Sequence, residues 1–203
     1  MSTPRTYFDD LYRNDDDPWC YRTSWYERRK RELVLASLPR ERYASGFEPA
    51  SSNGELSVQL ALRCDRLLVC DVNARAVRMA RERLADTRNV TVETLSVPED
   101  WPAHRFDLVV ISELAYYLSP EMTATLARRA WASLAEDGSF VACHWRHPFD
   151  GKLQSADDVH ACFDAVFRHH GDGARIVQHA EADFYLDVWS KDGRSVGERE
   201  GLA

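Results

Sequence analysis

Apolar positions along this chain follow two rhythms. Short continuous runs of aliphatic and β-branched residues recur, and between them apolar residues return every third or fourth position. Tyr43 to Phe47, Leu67-Leu68-Val69-Cys70, Val90 to Leu95 and Phe106-Asp107-Leu108-Val109-Val110-Ile111 are four candidate strands. The last is almost wholly apolar, as strands buried on both faces of a parallel sheet are. Ser139 to Trp145 is a fifth strand, and Arg175 to His179 with Phe184 to Trp189 forms a closing hairpin. The segments between have helical spacing. Leu56 and Leu60 share a face after Gly54, and Val77, Ala80 and Leu84 follow the N-cap Asn73. Leu126, Ala130 and Leu134 follow Ser119-Pro120, an N-cap with proline in the first turn. Val159, Phe163 and Val166 form a stripe behind the cap Ser155, in a helix reaching His169. Ser24-Trp25-Tyr26-Glu27 has capping-box spacing for a helix running to about Leu38, where Pro39 stops it.

Strands alternating with helices define an α/β doubly wound fold: a mostly parallel seven-stranded sheet with an antiparallel edge strand. Residues 1–42 form an N-terminal lid and helix, 43–190 the sheet domain, and 191–203 a polar tail expected to fray. The acidic run Asn14 to Pro18 is expected to be a solvated turn, and His170-Gly171-Asp172-Gly173 another.

Composition narrows the class. The 203 residues are 44% apolar and 29% charged, enough for one domain with a substantial core. No apolar run approaches the ~20 residues that span a bilayer. The N-terminus leads into polar sequence, so the expected location is cytoplasmic, without a membrane partner. A net charge of −7 argues against nucleic acid. Five cysteines without a C-x-x-C pair indicate neither a disulfide framework nor a zinc site, and most are expected to be buried hydrophobes.

The candidate chemistry gathers at strand ends. Phe47-Glu48-Pro49-Ala50-Ser51-Ser52-Asn53-Gly54 is a turn of small residues between a strand and a helix, where backbone N–H groups can approach a ligand. The next strand ends in Asp71, placed as the acid that holds both ribose hydroxyls in a nucleoside-binding βαβ unit. Trp19, Tyr21, Trp25 and Tyr26 cluster ahead of that unit, either covering the core or forming a lid over a flat ligand, with Arg29 available for a carboxylate. Glu113 follows the fourth strand and is a candidate base or a cap. His144 ends the fifth strand, as base, acceptor-binding group or hydrogen-bonded strand end. It and His147 point to opposite sides, so no metal site is expected there. Tyr116 and Tyr117 either line an acceptor cleft or pack in the core. His104, His160, His169, His170 and His179 have the pattern of surface groups.

Glu48 to Gly54, Asp71, Phe106 to Val110 and Asp137-Gly138 before a strand together resemble class I S-adenosylmethionine-dependent methyltransferases. Tyr7-Phe8, Asp17-Pro18-Trp19, Thr23-Ser24 with Tyr26-Glu27, Glu48-Pro49, Leu62 to Cys64, and Ser112-Glu113 with Tyr116-Tyr117-Leu118 resemble the nodulation N-methyltransferase (NodS-like) family more closely. The resemblance implies S-adenosyl-L-methionine as cofactor. Its binding residues would be Trp19, Tyr26, Arg29, Glu48, Ala50, Ser51, Ser52, Gly54, Asp71, Val72, Ser96, Val97 and Ser112. The turn would cradle the methionine part, the loop Ser96 to Pro98 would border adenine, and Trp19 to Tyr26 would cover the cofactor. The family pattern E-x-G-x-G-x-G stands here as Glu48, Ala50, Ser52 and Gly54, so two glycines are replaced.

The expected function is methyl transfer to an amine of a small polar or sugar-like acceptor, with Glu113 and His144 as catalytic candidates, by a monomer or homodimer. A degenerate, non-catalytic binding protein on the same fold is the alternative, motivated by Ala50 and Ser52. A nicotinamide-dependent oxidoreductase is disfavoured by the glycine spacing.

Overall fold

The computed structural model describes residues 2–169 and 173–203. The turn expected at His170-Gly171-Asp172, and the surface position expected of His170, lie outside the described residues. The strands are β1 Gly46–Pro49, β2 Leu67–Asp71, β3 Val90–Thr94, β4 Phe106–Ser112, β5 Leu134–Trp145, β6 Ala174–Ala180 and β7 Phe184–Ser190. The helices are α1 Arg5–Asn14, α2 Trp25–Ala36, α3 Glu55–Ala61, α4 Ala74–Arg83, α5 Pro120–Ser133, α6 Ala156–His169 and α7 Val196–Arg199, with a 3-10 turn at Ala115–Tyr117.

The strands form one sheet in the order β3-β2-β1-β4-β5-β7-β6. β1 to β5 pair in parallel, whereas β7 runs antiparallel to both β5 and β6. The reversed strand therefore stands one place in from the β6 edge. β1 is paired with β2 on one side and β4 on the other, so the connections diverge there. In open α/β sheets the crevice at such a switch point, beyond the carboxyl ends of the strands, is where ligands bind.

The apolar run of β4 is divided between two faces. Val109 and Ile111 pack with Phe47, Trp131, Phe140 and Phe163. Leu108 and Val110 pack with Val34, Leu60, Val69 and Val141 on the other. All four β4 residues are 1% exposed or less, which is why the run shows no polar alternation. Each such side chain contributes about 1.5–3 kcal/mol through burial.

Several expectations need correction. α1 lies in the segment from which only aromatics and acids were legible, and its Tyr12 is buried against Ala76 and Met79 of α4. The acidic run is not simply solvated. Asp16 pairs with Arg75 at 2.8 Å, Asp17 accepts from Asn53 Nδ2 at 2.9 Å, and Asp9 in α1 accepts from Asn73 Nδ2 at 2.7 Å. The acids thus fasten the N-terminal helix over the ends of β1 and β2. Only half of the α2 capping box forms: Glu27 N–H donates to Ser24 Oγ at 3.4 Å, while the Glu27 carboxylate turns to Lys30. The tail is not frayed as expected, because Ser195 and Glu198 cap α7 reciprocally and Arg199 donates to Ser190 Oγ at 2.9 Å. His160 is 5% exposed rather than on the surface.

Asn73 is both the N-cap of α4, accepting from Arg75 N–H at 2.9 Å and Ala76 N–H at 3.0 Å, and an anchor for α1. Asn73→Ala is expected to lower stability by about 1–2 kcal/mol. Urea denaturation would show this as a lower midpoint with an unchanged m-value.

Candidate active site

The bend after β1 is left-handed at alternate residues: φ is +57° at Ala50, +52° at Ser52 and +79° at Gly54. An L-residue there costs about 1–2 kcal/mol, which glycine avoids. The bend keeps its shape because it is tied on several sides. Ser51 N–H donates to Cys70 O at 3.0 Å. Ser52 N–H donates to Asp71 Oδ2 at 3.0 Å, and Asn73 N–H donates to Asp71 Oδ1 at 2.8 Å. The Ser52 hydroxyl, present where the resemblance expects glycine, shares a 2.6 Å hydrogen bond with Tyr12 OH of α1. Burial raises the Asp71 pKa above its ordinary value, opposed by these N–H donors.

Two recesses border this bend, and a third shares Tyr21 and Glu113 with both. The first, about 270 Å³, runs beneath α1 and is bordered by Tyr12, Asp71, Val72, Ser96, Val97 and Tyr117. Its volume is near the lower end of ordinary small-molecule sites, roughly 300–1,000 Å³. The second is a polar notch of about 40 Å³ walled by Glu48, Ser51, Asn53 and Ser112. Glu48 Oε2, Ser51 Oγ and Asn53 Oδ1 are buried there without hydrogen-bond partners. Burial pushes the Glu48 carboxyl up to about 8. Unpaired buried polar atoms are costly, and three around one notch indicate a polar ligand group. The third recess, about 340 Å³, is aromatic, with Tyr26, Tyr116, Trp145 and Phe149 among its walls. Trp19, Tyr21, Glu113 and Tyr117 border both larger cavities and form the partition between them.

Glu113 is the charged member of that partition and borders all three recesses. Its backbone is left-handed at φ +55°, a conformation rare outside glycine and typical of strained functional turns. Its carboxylate is saturated. Oε1 accepts from Lys30 Nζ at 2.7 Å, and Oε2 accepts from Tyr116 OH and from Trp145 N–H, the latter at 3.1 Å. Lys30, 4% exposed, also donates to Glu27 Oε1 at 2.9 Å. The two neighbouring carboxylates raise its pKa against the desolvation that would lower it.

The structure brings together Glu48, Ala50, Ser51, Ser52, Asp71, Val72, Ser96, Val97, Ser112, Glu113 and Trp19 around the first two recesses. It does not bring in four others as expected. Tyr26 borders the aromatic cavity rather than the one beside Asp71. Gly54 borders none of these recesses; it begins α3 and lies against Ala80, where a Cβ would sit 3.4 Å from the Ala80 Cα. Arg29 points away, in a bidentate pair with Glu181 at 2.7 and 2.8 Å. His144 is fully buried beneath the site. It accepts from Ala115 N–H at Nε2, which leaves its Nδ1 to donate to His160 Nε2 at 3.1 Å. His160 Nδ1 in turn donates to Asp187 at 2.7 Å. Burial first, then His160, drives the His144 pKa well below its ordinary value; its ring braces the turn after Glu113 through Ala115 N–H. Sequence reasoning named Tyr12 with Trp19 as residues closing the site, and both border the Asp71 recess; it missed Asn53, Glu27 and Lys30, and the helix that carries Tyr12. The i, i+3, i+4 pattern Phe8-Leu11-Tyr12 was the available signal for that helix. Lys30 and Glu27 were hidden in a charged helix that looked solvated.

A sheet of this order and pairing, with an acid closing β2 and a ligand-sized recess at the switch point, is the Rossmann-like fold of class I methyltransferases. The chain belongs to the Nodulation protein S (NodS) family, whose profile matches residues 8–166. It is 31% identical over 129 residues to nodulation protein S of Bradyrhizobium diazoefficiens, covering 62% of this chain and 61% of that one. The chain thus spans about three-fifths of that relative's length. Among solved structures, a candidate methyltransferase from Pseudomonas syringae is 47% identical with a TM-score of 0.69, covering 82% of this chain and all but 1% of its own, for 99%. The N-methyltransferase NodS from Bradyrhizobium japonicum WM9, solved with S-adenosyl-L-homocysteine, superposes at a TM-score of 0.78 over 91% of this chain and 97% of its own. At 24% identity it shares the fold.

Ala50→Gly should relieve the left-handed strain and raise stability by about 1 kcal/mol. Ser52→Gly should gain less, because it also loses the Tyr12 hydrogen bond, worth about 0.5–1.5 kcal/mol. Paired thermal and urea unfolding of the two variants reads the difference. Glu48 gives a pH signature. Its folded pKa, about 8, exceeds its unfolded value, so the native state holds the extra proton and stability falls as pH rises from about 4.5 toward 8. Glu48→Gln should flatten that slope in a pH series of denaturant midpoints.

Proposed function

We propose that this protein is an S-adenosylmethionine-dependent N-methyltransferase acting on the amine of a small polar, sugar-like acceptor. The observation that carries this reading is the trio of unpartnered buried atoms on Glu48, Ser51 and Asn53, in a notch that shares Tyr21, Ala50, Ser52 and Glu113 with the wall of the Asp71 cavity. Two carbonyl-type acceptors and a hydroxyl suit the ammonium of a methionine moiety. Asp71 then lies where ribose hydroxyls donate to it, and Ser96 with Val97 border the adenine end. Tyr12 and Trp19 cover the cofactor from the N-terminal side. The cofactor supplies an electrophilic methyl: the acceptor nitrogen's lone pair forms the N–C bond, and the C–S electron pair passes to sulfur.

The chain's part is positioning, which can supply much of the acceleration of such an in-line transfer. The aromatic cavity holds the acceptor across the partition formed by Trp19, Tyr21, Glu113 and Tyr117. A carboxylate saturated by Lys30, Tyr116 and Trp145 N–H is a fixed negative charge at the point of transfer. It favours the approach of a cationic amine.

The second reading, a non-catalytic binding protein, draws on Ala50 and Ser52, whose Cβ atoms border the cavity that glycines would leave open. Titration calorimetry with S-adenosyl-L-homocysteine separates the cases. Saturable heat is expected with the wild type. Asp71→Ala should weaken binding at least tenfold, since each charge-assisted hydrogen bond to the ribose is worth roughly 1.5–3 kcal/mol. No heat at millimolar ligand would remove the enzymatic reading, and unchanged affinity in Asp71→Ala would remove the placement of the ribose.

A further inference from the structure

We propose that Glu27 is the group that takes the proton from the acceptor amine, with Lys30 as the positioning residue that holds it beside the locked Glu113. This inference rests on the methyltransferase reading and assigns a role within that site.

The geometry distinguishes the two carboxylates. Glu113 has both oxygens occupied: Lys30 on one, Tyr116 OH and Trp145 N–H on the other. A carboxylate with both oxygens already occupied offers no free oxygen to an incoming ammonium proton. Glu27 is held by one oxygen only, Oε1 on Lys30 Nζ at 2.9 Å. It borders both the polar notch and the aromatic cavity. Among the described residues no hydrogen bond reaches its other oxygen, and the side chain is 11% exposed. Lys30 bridges the pair, at 2.9 Å to Glu27 and 2.7 Å to Glu113. One buried cation between two buried carboxylates leaves one negative charge in excess, which draws an ammonium into the cavity.

The surroundings favour a proton-accepting carboxyl. Burial raises the Glu27 pKa and Glu113 adds to it, while Lys30 and Arg31 lower it. Tyr21, Tyr26 and Cys143 also face this cluster, and burial raises all three above their ordinary values. They stay neutral near pH 7 and do not compete for the proton. A base with a pKa lifted toward the working pH suits general base catalysis better than an ordinary carboxylate.

The acceptor enters as R–NH3⁺ and gives one proton to the free Glu27 oxygen, leaving R–NH2 with its lone pair. That lone pair forms the N–C bond while the methyl–sulfur bond's electrons stay on sulfur. The products are R–NH2⁺–CH3 and S-adenosylhomocysteine, and Glu27 returns its proton to solvent. Every atom and charge is accounted for.

The test uses the full chain with S-adenosylmethionine and D-glucosamine as the probe amine, following methyl transfer by mass spectrometry. Glu27→Gln keeps an acceptor oxygen for Lys30. It should lower kcat by about 10²–10⁴-fold and abolish the acidic limb of the pH–rate profile. S-adenosylhomocysteine affinity and thermal stability should stay within about twofold and a few degrees of wild type. Wild-type kcat, or an unchanged acidic limb, in Glu27→Gln would overturn the proposal. A second measurement is independent of the acceptor: ¹³C NMR titration of the carboxyl groups in the S-adenosylhomocysteine-bound protein. The resonance lost in Glu27→Gln should titrate above the ordinary glutamate range, and an ordinary value would overturn the assignment. If the wild type binds the cofactor but leaves glucosamine unmethylated, the acceptor class fails, while the NMR result still decides the role of Glu27.

Discussion

The carboxylate of Asp71 is the constraint on which this site depends. It receives the Ser52 N–H from the bend after β1 and the Asn73 N–H from the turn after β2. Two adjacent parallel strands are thereby locked at their carboxyl ends, with the left-handed bend between them. Tyr12 adds a third tie from α1 through Ser52 Oγ. Without these ties the Cβ atoms of Ala50 and Ser52 would favour a relaxed backbone, and the recess beside Asp71 would lose its shape. The same acid borders that recess.

A second organising charge lies across the partition. Lys30 holds Glu27 and Glu113 together, and the His144–His160–Asp187 relay braces the backbone just after Glu113. The sheet thus supplies two supports, one beside the Asp71 recess and one under the aromatic cavity. What moves between them need only be small molecules.

Much of the fold was legible because the signals were local. The run Phe106 to Ile111 could only be a strand buried on both faces, and Asn73, Ser119-Pro120 and Ser155 marked helix starts that the structure keeps. Asp71 and Glu113 were legible as strand-end acids. What escaped reading was long-range. Arg29 looked available because its partner, Glu181, stands far along the chain. Buried lysine and solvated lysine look alike in sequence, so Lys30 was passed over until α2 was seen lying across Glu113. His144 resembled a strand-end base, but its depth depends on α6 and β7 closing over it through His160 and Asp187.

The most direct test of the account is a crystal structure of the protein soaked with S-adenosyl-L-homocysteine. The account predicts ribose hydroxyls within hydrogen-bond distance of Asp71 and the amino group in the notch of Glu48, Ser51 and Asn53. It also predicts that the sulfur points toward Glu113, past an unshifted bend. Density for the ligand elsewhere, or side-chain atoms of Ala50 and Ser52 filling the path between the two ends, would contradict it.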